Sequence, residues 1–104
     1  VFKLTGKLRN VLEFGCNIGL NLKAIKKINK NCYLTGVEIN KNAANEAKKI
    51  KNVKIIEDSI YNVSLKERFD LVFTKGVLIH LKPEKINEAY KKIYNHSNKY
   101  ILTL

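Results

Sequence analysis

A glycine turn after a short apolar run near the start of the chain is the feature that most constrains the fold. Residues 11–21 read VLEFGCNIGLN, in which an apolar run with the acid Glu13 near its end breaks at Gly15 and Gly19. A second apolar run follows at one helix length and ends in another acid, Glu38. A glycine turn lets backbone approach a ligand closely, and a carboxylate on the next strand takes ribose hydroxyls. The pattern predicts a βαβ unit that binds a nucleoside.

Apolar runs alternate with helix-type patterns along the rest of the chain. Strands are predicted at residues 9–14, 32–39, 53–57, 69–74 and 100–104, and helices at 18–29, from 40 to about 51, and from 83 onward. The segment 59–67 has no clear pattern. The helix positions predicted to face inward are Leu22, Ile25 and Ile28, then Ala43, Ala44, Ala47 and Ile50, then Ile86, Ala89, Tyr90, Ile93 and Tyr94. This alternation predicts an α/β fold, a Rossmann-like doubly wound parallel sheet with ligands at the carboxyl ends of the strands.

Size and composition limit the function classes. The 104 residues form one domain, and no apolar run approaches the ~20 residues that a membrane helix needs. The start of the chain shows no signal-peptide pattern, so a cytoplasmic location without a membrane partner is expected. Cys16 and Cys32 are too few and wrongly spaced for a zinc site, so no metal is predicted.

The formal net charge of +11 raises the question of a nucleic-acid partner. Nearly all of this charge comes from lysines, which are scattered over the predicted outer faces of the helices. Solvated helix faces therefore explain the charge better than a dedicated surface for a polyanion does. Nucleic acid is not the expected partner, although an RNA substrate remains an alternative.

The spacing of the glycines helps to decide which nucleoside is bound. The dinucleotide fingerprint G-x-G-x-x-G, aligned from Gly15, fails at Asn17 and at Leu20. The pattern acid-x-Gly-x-Gly-x-Gly is met at Glu13, Gly15 and Gly19, with Asn17 in place of the middle glycine. Among the residues other than glycine, Asn best tolerates a left-handed backbone, so this replacement is physically mild.

With this second pattern the chain resembles the class I S-adenosylmethionine-dependent methyltransferases. The resemblance covers essentially all of the chain in four ordered segments: EFGCNIG at 13–19, GVEI at 36–39, IEDSI at 56–60 and FDLVFTKGVLIHL at 69–81. A narrower similarity, carried by NIGLN at 17–21, TKGVLIHL at 74–81 and NKYIL at 98–102, is to the methylases associated with bacterial pseudaminic acid biosynthesis. It implies a small-molecule acceptor, such as a sugar of that type or a related intermediate.

The resemblance implies S-adenosylmethionine as the cofactor and assigns roles to individual residues. In these assignments the glycines let the loop approach the methionine half, and Glu13 orients the loop and the ammonium group. Glu38 takes the ribose hydroxyls, Asp58 accepts from the adenine amino group, and Ile39 and Ile60 bracket the adenine ring. The full set of implied cofactor-binding residues is Glu13, Gly15, Cys16, Asn17, Gly19, Glu38, Ile39, Asp58, Ser59, Ile60 and Thr74.

Each assignment has a plainer structural alternative. The glycine turn also suits an ordinary strand-to-helix connection, Glu38 suits the start of a helix, and Asp58 suits a turn. His80 is a candidate general base because its ordinary pKa is near neutral, but it also suits capping or packing at a helix start. Lys75 is a candidate for binding an acidic acceptor. Methyl transfer from a sulfonium is an in-line displacement with a good leaving group, so alignment alone can supply much of the catalysis.

The chain is expected to be a partial core, because members of the resembled family continue beyond a fifth strand. The leading function is methyl transfer to a small molecule. A fragment that binds S-adenosylmethionine without turnover and an RNA methyltransferase remain open, and an NAD enzyme has only the glycines in its favour. The sequence gives no prediction of the oligomeric state.

Overall fold

The computed structural model of the chain describes residues 8–74 and 82–103. Within these ranges it contains five strands and three helices. In chain order they are β1 (Asn10–Phe14), α1 (Leu20–Ile28), β2 (Tyr33–Glu38), α2 (Lys41–Ala47), β3 (Val53–Glu57), β4 (Phe69–Thr74), α3 (Pro83–His96) and β5 (Ser97–Thr103). None of the helices in these ranges is long and apolar enough to cross a membrane.

The strands form a single parallel sheet in the order β3-β2-β1-β4-β5. The predicted doubly wound α/β fold is therefore confirmed. From β1 the chain adds β2 and β3 on one side of the sheet, and it then adds β4 and β5 on the other side of β1. The last residue of β1, Phe14, pairs with Val37 near the end of β2 and with Thr74 at the end of β4. The carboxyl ends of the central strands are thus level, and the crevice where such sheets bind ligands lies there.

Helices cover both faces of the sheet. On one face, α1 and α2 pack on the side chains of Val11, Leu34 and Leu71, to which they contribute Leu22, Ile25 and Ala47. On the other face, α3 and the connection between β3 and β4 pack on Leu12, Phe14 and Val72, to which they contribute Ala89, Ile93, Ile60 and Val63. Because both faces are covered, every residue of β4 is buried, which explains why all of them except Asp70 and Thr74 are apolar.

Three predicted inward positions are wrong. Ile28 is 74% exposed, and Tyr90 and Tyr94 are 46% and 68% exposed. Each helical residue turns by about 100°, so two steps of three residues carry Ile28 about 120° away from the buried Leu22. Each tyrosine follows a buried residue by one position and is rotated off the buried face in the same way.

The fifth strand begins at Ser97, directly after α3 and three positions before its predicted start. Ser97 pairs with Phe69, and the register shifts before Tyr100 pairs with Leu71. The Ser97 hydroxyl donates to the Tyr100 carbonyl at 3.0 Å. Ser, Asn and Lys have low strand propensity, so this start depends on pairing with β4 and not on local preference.

His96 ends α3 and ties it to two other parts of the fold. Its Nε2 accepts a hydrogen bond from the Leu65 backbone N–H at 3.1 Å, so Nδ1 is the protonated nitrogen and donates to the Lys92 carbonyl at 2.8 Å. The ring meets Phe14 edge-on, with 5.9 Å between centroids. His96 thereby fixes the connection between β3 and β4 against the end of β1.

Asp70 organises the amino-terminal end of the sheet. Its carboxylate accepts from the Arg9 backbone N–H at 2.9 Å and from the Asn98 amide at 3.5 Å, and its own N–H donates to the Asn10 side chain at 2.9 Å. Burial opposes ionisation of Asp70, but the Arg9 hydrogen bond and the charge of Lys99 outweigh it, and the net effect lowers its pKa. This network lies at the opposite end of the sheet from the glycine loop and is structural.

Candidate functional site

The loop between β1 and α1 has three residues with left-handed backbone. The φ angles of Gly15, Asn17 and Gly19 are +72°, +53° and +88°. Asn17 therefore has the backbone geometry expected of the glycine that it replaces. The backbone N–H groups of Gly15 and Cys16 both donate to the Val37 carbonyl, at 2.7 and 3.1 Å. These bonds hold the loop against the carboxyl end of β2.

Gly19 is enclosed by α2. A Cβ on Gly19 would lie 2.6 Å from Cδ1 of Ile50 and 3.3 Å from Cβ of Ala47. The nearest atoms of the protein itself are therefore those of Ile50 and Ala47, and the expected close approach to a ligand stays a prediction. Gly19 is required both for its left-handed φ and for helix packing against the loop.

Gly36 has a packing role that the sequence did not reveal. A Cβ at this position of β2 would lie 2.7 Å from Sγ of Cys16 and 2.8 Å from Cδ1 of Leu22. The absence of a side chain lets the glycine loop and α1 lie directly on the sheet. The only sequence signal was its place two residues before Glu38.

Glu38 holds the turns on both sides of it. Its Oε1 accepts from the Asn17 backbone N–H and its Oε2 accepts from the Asn40 backbone N–H, each at 2.8 Å. The Asn40 side chain accepts from the Ala43 N–H at 3.0 Å and so caps α2. The Glu38 carbonyl accepts from the Asp58 N–H at 3.1 Å. Glu38 thus connects the ends of β1, β2 and β3.

Two buried side chains lie at the base of the loop, that of Glu13 in β1 and that of Cys16 in the loop itself. Glu13 is 1% exposed, and its Oε2 accepts from the Asn21 side-chain amide in the first turn of α1 at 3.1 Å. Burial, together with the negative charges of Glu13 and Glu38, raises the pKa of the Cys16 thiol to about 12. The thiol is therefore protonated and unreactive. The same charges make the loop region favourable for a cation.

The segment after β3 forms a tight turn beside Glu38. The Asp58 carboxylate accepts from the Ser59 N–H at 2.7 Å, and the Ser59 hydroxyl accepts from two N–H groups of the following turn at 3.1 Å. Ile60 is 9% exposed and packs in the core, whereas Ile39 is 68% exposed. Of the two isoleucines predicted to bracket a base, Ile39 thus presents an open apolar face, and Ile60 is held in the core.

Thr74 ends β4 next to Phe14. It is 1% exposed, and its hydroxyl has no hydrogen-bond partner among the residues that the structure describes. The two predicted catalytic residues, Lys75 and His80, lie outside the described residues. In residues 8–74 and 82–103, no group of three or more His, Cys, Asp or Glu residues could hold a metal ion.

Acidic residues are concentrated at this edge of the sheet. Four of the nine acids of the chain stand at or just after the ends of β1, β2 and β3, namely Glu13, Glu38, Glu57 and Asp58. The edge is therefore locally acidic in a protein whose net charge is +11. Such a site suits a ribose and a positively charged group better than it suits the pyrophosphate of a dinucleotide.

This fold is that of a methyltransferase domain. The chain belongs to the family described as "Methyltransferase domain", which matches it over residues 11–99. No curated protein is a significant match to the chain.

Solved methyltransferase structures share the fold. The plantazolicin methyltransferase BpumL, in complex with a pentazolic desmethylPZN analog and SAH, superposes with a TM-score of 0.85 at 20% identity over 99% of this chain and 42% of that one. StiE O-MT gives 0.79 at 23% identity over 90% of this chain and 36% of its own. The sugar N-methyltransferase KedS8 from Streptoalloteichus sp. ATCC 53650 gives 0.75 at 17% identity over 88% and 37%. The chain thus spans well under half the length of these proteins.

Proposed function

We propose that the domain binds S-adenosylmethionine across the carboxyl ends of β1, β2 and β3, and that it transfers the methyl group to a small-molecule acceptor. The observation that carries the proposal is the position of Glu38 against the glycine loop, 2.8 Å from the Asn17 N–H. Each oxygen of an ionised carboxylate has two acceptor positions. One on each is used by backbone, and the other remains for a ribose hydroxyl.

The other residues of the edge fit the remaining parts of this cofactor. Asp58 would meet a base beside the ribose, and the support is the hydrogen bond from its N–H to the Glu38 carbonyl. The exposed side chain of Ile39 offers an apolar surface to such a base. The acidic surroundings of Glu13 and Glu38, which also raise the pKa of Cys16, suit the positive charges of the sulfonium and ammonium groups. We therefore retain the full set of cofactor-binding residues inferred from the sequence as part of this proposal.

The chain contributes to the reaction mainly by alignment. When bound, the cofactor supplies a methyl group attached to a sulfonium sulfur, and this sulfur is a good leaving group. The loop held by the Val37 carbonyl and by Glu38 fixes the donor, and an acceptor that reaches the end of β4 near Thr74 meets it in line. In this proposal His80 removes a proton from the acceptor and Lys75 binds an acidic group on it.

For the acceptor we propose a sugar of the pseudaminic acid type or a related intermediate. The support is the sequence similarity at residues 17–21, 74–81 and 98–102. A sugar N-methyltransferase, KedS8, also shares the fold. A cytoplasmic location belongs to the same proposal and is supported by the two buried cysteines, Cys16 and Cys32, which are both free thiols.

Calorimetric titration of the chain with S-adenosylhomocysteine tests the cofactor assignment. Loss of hydrogen bonds to a charged carboxylate corresponds to roughly 10- to 150-fold weaker binding, and this is the expected effect of Glu38→Ala. Glu46→Ala is the matched control, because Glu46 lies on the exposed side of α2 and pairs with Lys49. The two variants should differ in affinity while circular dichroism shows both to be folded. Absence of binding by folded wild-type chain would refute the proposal.

A second candidate function is cofactor binding without methyl transfer. The observation that favours it is that the described residues of the site, Glu38 above all, are suited to holding a cofactor, and none of them is a candidate for the chemical step. Conversion of S-adenosylmethionine to S-adenosylhomocysteine in the presence of acidic sugars separates the two functions. Turnover supports the transferase, whereas tight binding without turnover supports the second candidate. If RNA is the acceptor instead, RNA binding should weaken steeply with salt.

A further inference from the structure

The backbone of Asn17 lies beside the carboxylate that is proposed to bind ribose. Its backbone N–H donates to Glu38 Oε1 at 2.8 Å. With an N–Cα bond of about 1.5 Å, the Asn17 Cα is therefore within about 4.3 Å of that oxygen. Asn17 is exposed, and its side-chain amide makes no hydrogen bond to any residue in the described part of the chain.

The left-handed backbone of Asn17 does not by itself account for an asparagine. Glycine adopts φ near +53° without strain, whereas asparagine adopts it at some cost and is commonly helped by local side-chain hydrogen bonds. Asn17 has no such bond in the described part of the chain. Its amide thus offers a donor and an acceptor on an exposed residue whose backbone is bonded to Glu38.

The hydrogen-bonding needs of a ribose match this amide. A hydroxyl donates one hydrogen bond and accepts two, and Glu38, as an ionised carboxylate, only accepts. The N–H groups of Asn17 and Asn40, which adjoin Glu38, already donate to it. A ribose bound by Glu38 would therefore lack a donor from those backbone groups. Asn17, whose backbone N–H lies 2.8 Å from Glu38, carries a further donor in its side-chain amide.

We propose that the side-chain amide of Asn17 donates a hydrogen bond to a ribose hydroxyl, so that Asn17 and Glu38 hold the ribose diol together. The assignment rests on the proposed function, because it requires a cofactor with a free ribose diol. It makes Asn17 a determinant of cofactor affinity through its side chain and not only through its backbone.

Two explanations of Asn17 give opposite results for Asn17→Gly. If only the backbone conformation mattered, glycine would keep or improve cofactor affinity. If the amide binds ribose, glycine removes one neutral hydrogen bond and affinity falls about five-fold. Asn17→Asp keeps the size and the tolerance of positive φ but removes the donor, so it should weaken binding at least as much.

The chain contains a matched control at Asn52. Asn52 is also exposed and has a φ of +62°, but it lies in the turn between α2 and β3. Asn52→Gly makes the same chemical change in the same backbone conformation away from Glu38. Calorimetry on wild type, Asn17→Gly, Asn17→Asp and Asn52→Gly should use S-adenosylhomocysteine and 5′-methylthioadenosine. The second ligand keeps the ribose and lacks the amino-acid end.

The proposal expects both ligands to bind more weakly to the two Asn17 variants and with wild-type affinity to Asn52→Gly. Unchanged affinity of Asn17→Gly would overturn it and leave Asn17 a backbone role. Weaker binding of S-adenosylhomocysteine alone would place the amide on the amino-acid half and overturn the ribose assignment. If folded wild-type chain binds neither ligand, the proposed function itself fails, and this assignment fails with it.

Discussion

Gly36 is the position where one added methyl group is expected to disturb the site most. Its Cβ would lie 2.7 Å from Sγ of Cys16 and 2.8 Å from Cδ1 of Leu22, and 3.0 Å from Cβ of Cys16. Ordinary contacts between such atoms are about 3.5–4.0 Å. Because β2 is hydrogen-bonded to β1 on one side and to β3 on the other, its backbone has little freedom to move away. The side chains of Cys16 and Leu22 must therefore move, by a change of rotamer or by an outward shift of the loop and α1.

The magnitude follows from two opposing effects of Gly36→Ala. Restriction of the unfolded chain would raise the free energy of unfolding by about 0.4–1 kcal/mol if the site were open. Overpacking of a core instead costs about 1–3 kcal/mol, and here it is expected to prevail. For a domain of this size each kcal/mol lowers Tm by roughly 4–8 °C.

Urea unfolding followed by circular dichroism measures this effect, and a double-mutant cycle with Cys16→Ala locates it. Removal of Sγ leaves a small cavity in the wild-type background, but in Gly36→Ala it relieves the overlap with Sγ and leaves the contact with Leu22. The double variant should therefore be more stable than the sum of the single effects by about 0.5 kcal/mol or more. S-adenosylhomocysteine affinity should fall in Gly36→Ala and recover in part in the double variant.

Two results would refute the steric reasoning. One is a Gly36→Ala variant that is as stable as the wild type or more stable. The other is a cycle in which the two effects add within about 0.3–0.5 kcal/mol, the range found for independent sites.

Three further predictions concern the surroundings of the site and the far end of the sheet. The lowered pKa of Asp70 means that it stabilises the fold above the ordinary Asp pKa of about 4 and loses this contribution as pH falls through its lower folded value. At pH values below about 4, the urea midpoint of the wild type should therefore fall with decreasing pH more steeply than that of Asp70→Asn. His96→Leu leaves the partly buried Leu65 N–H without its acceptor, so urea titration should show a loss of about 1 kcal/mol or more, and an unchanged midpoint would contradict this role. Gly19→Ala combines left-handed strain of about 1–2 kcal/mol with a contact at 2.6 Å to Cδ1 of Ile50. Its Tm should fall, and Ile50→Ala should restore only the steric part.

The fold class and the position of the site follow from local features of the sequence. Short apolar runs alternating with helical patterns specify a parallel sheet covered on both faces. The glycine loop after β1 and Glu38 at the end of β2 were recognisable because turns and strand ends have local residue preferences. Since parallel strands present their carboxyl ends at one edge, these segments had to meet there.

Other features depend on contacts between residues far apart in the chain. The buried faces of the helices differ from the simple periodicity at Ile28, Tyr90 and Tyr94, because rotation about each helix is set by what it packs on. The early start of β5 at Ser97 depends on pairing with Phe69 and runs against local propensity. Neither is encoded within a single segment.

The sequence alone therefore determined the parallel α/β sheet, the edge at which the glycine loop meets Glu38 and the acids on that edge, since these depend on local periodicity and turn chemistry. Only the tertiary structure decided what those residues touch. It showed that Gly36 makes room for Cys16, and that Glu38 holds the backbone of Asn17 and of Asn40 together. Hydrogen bonds and steric contacts of this kind join atoms brought together by folding, and no pattern along the chain specifies their distances.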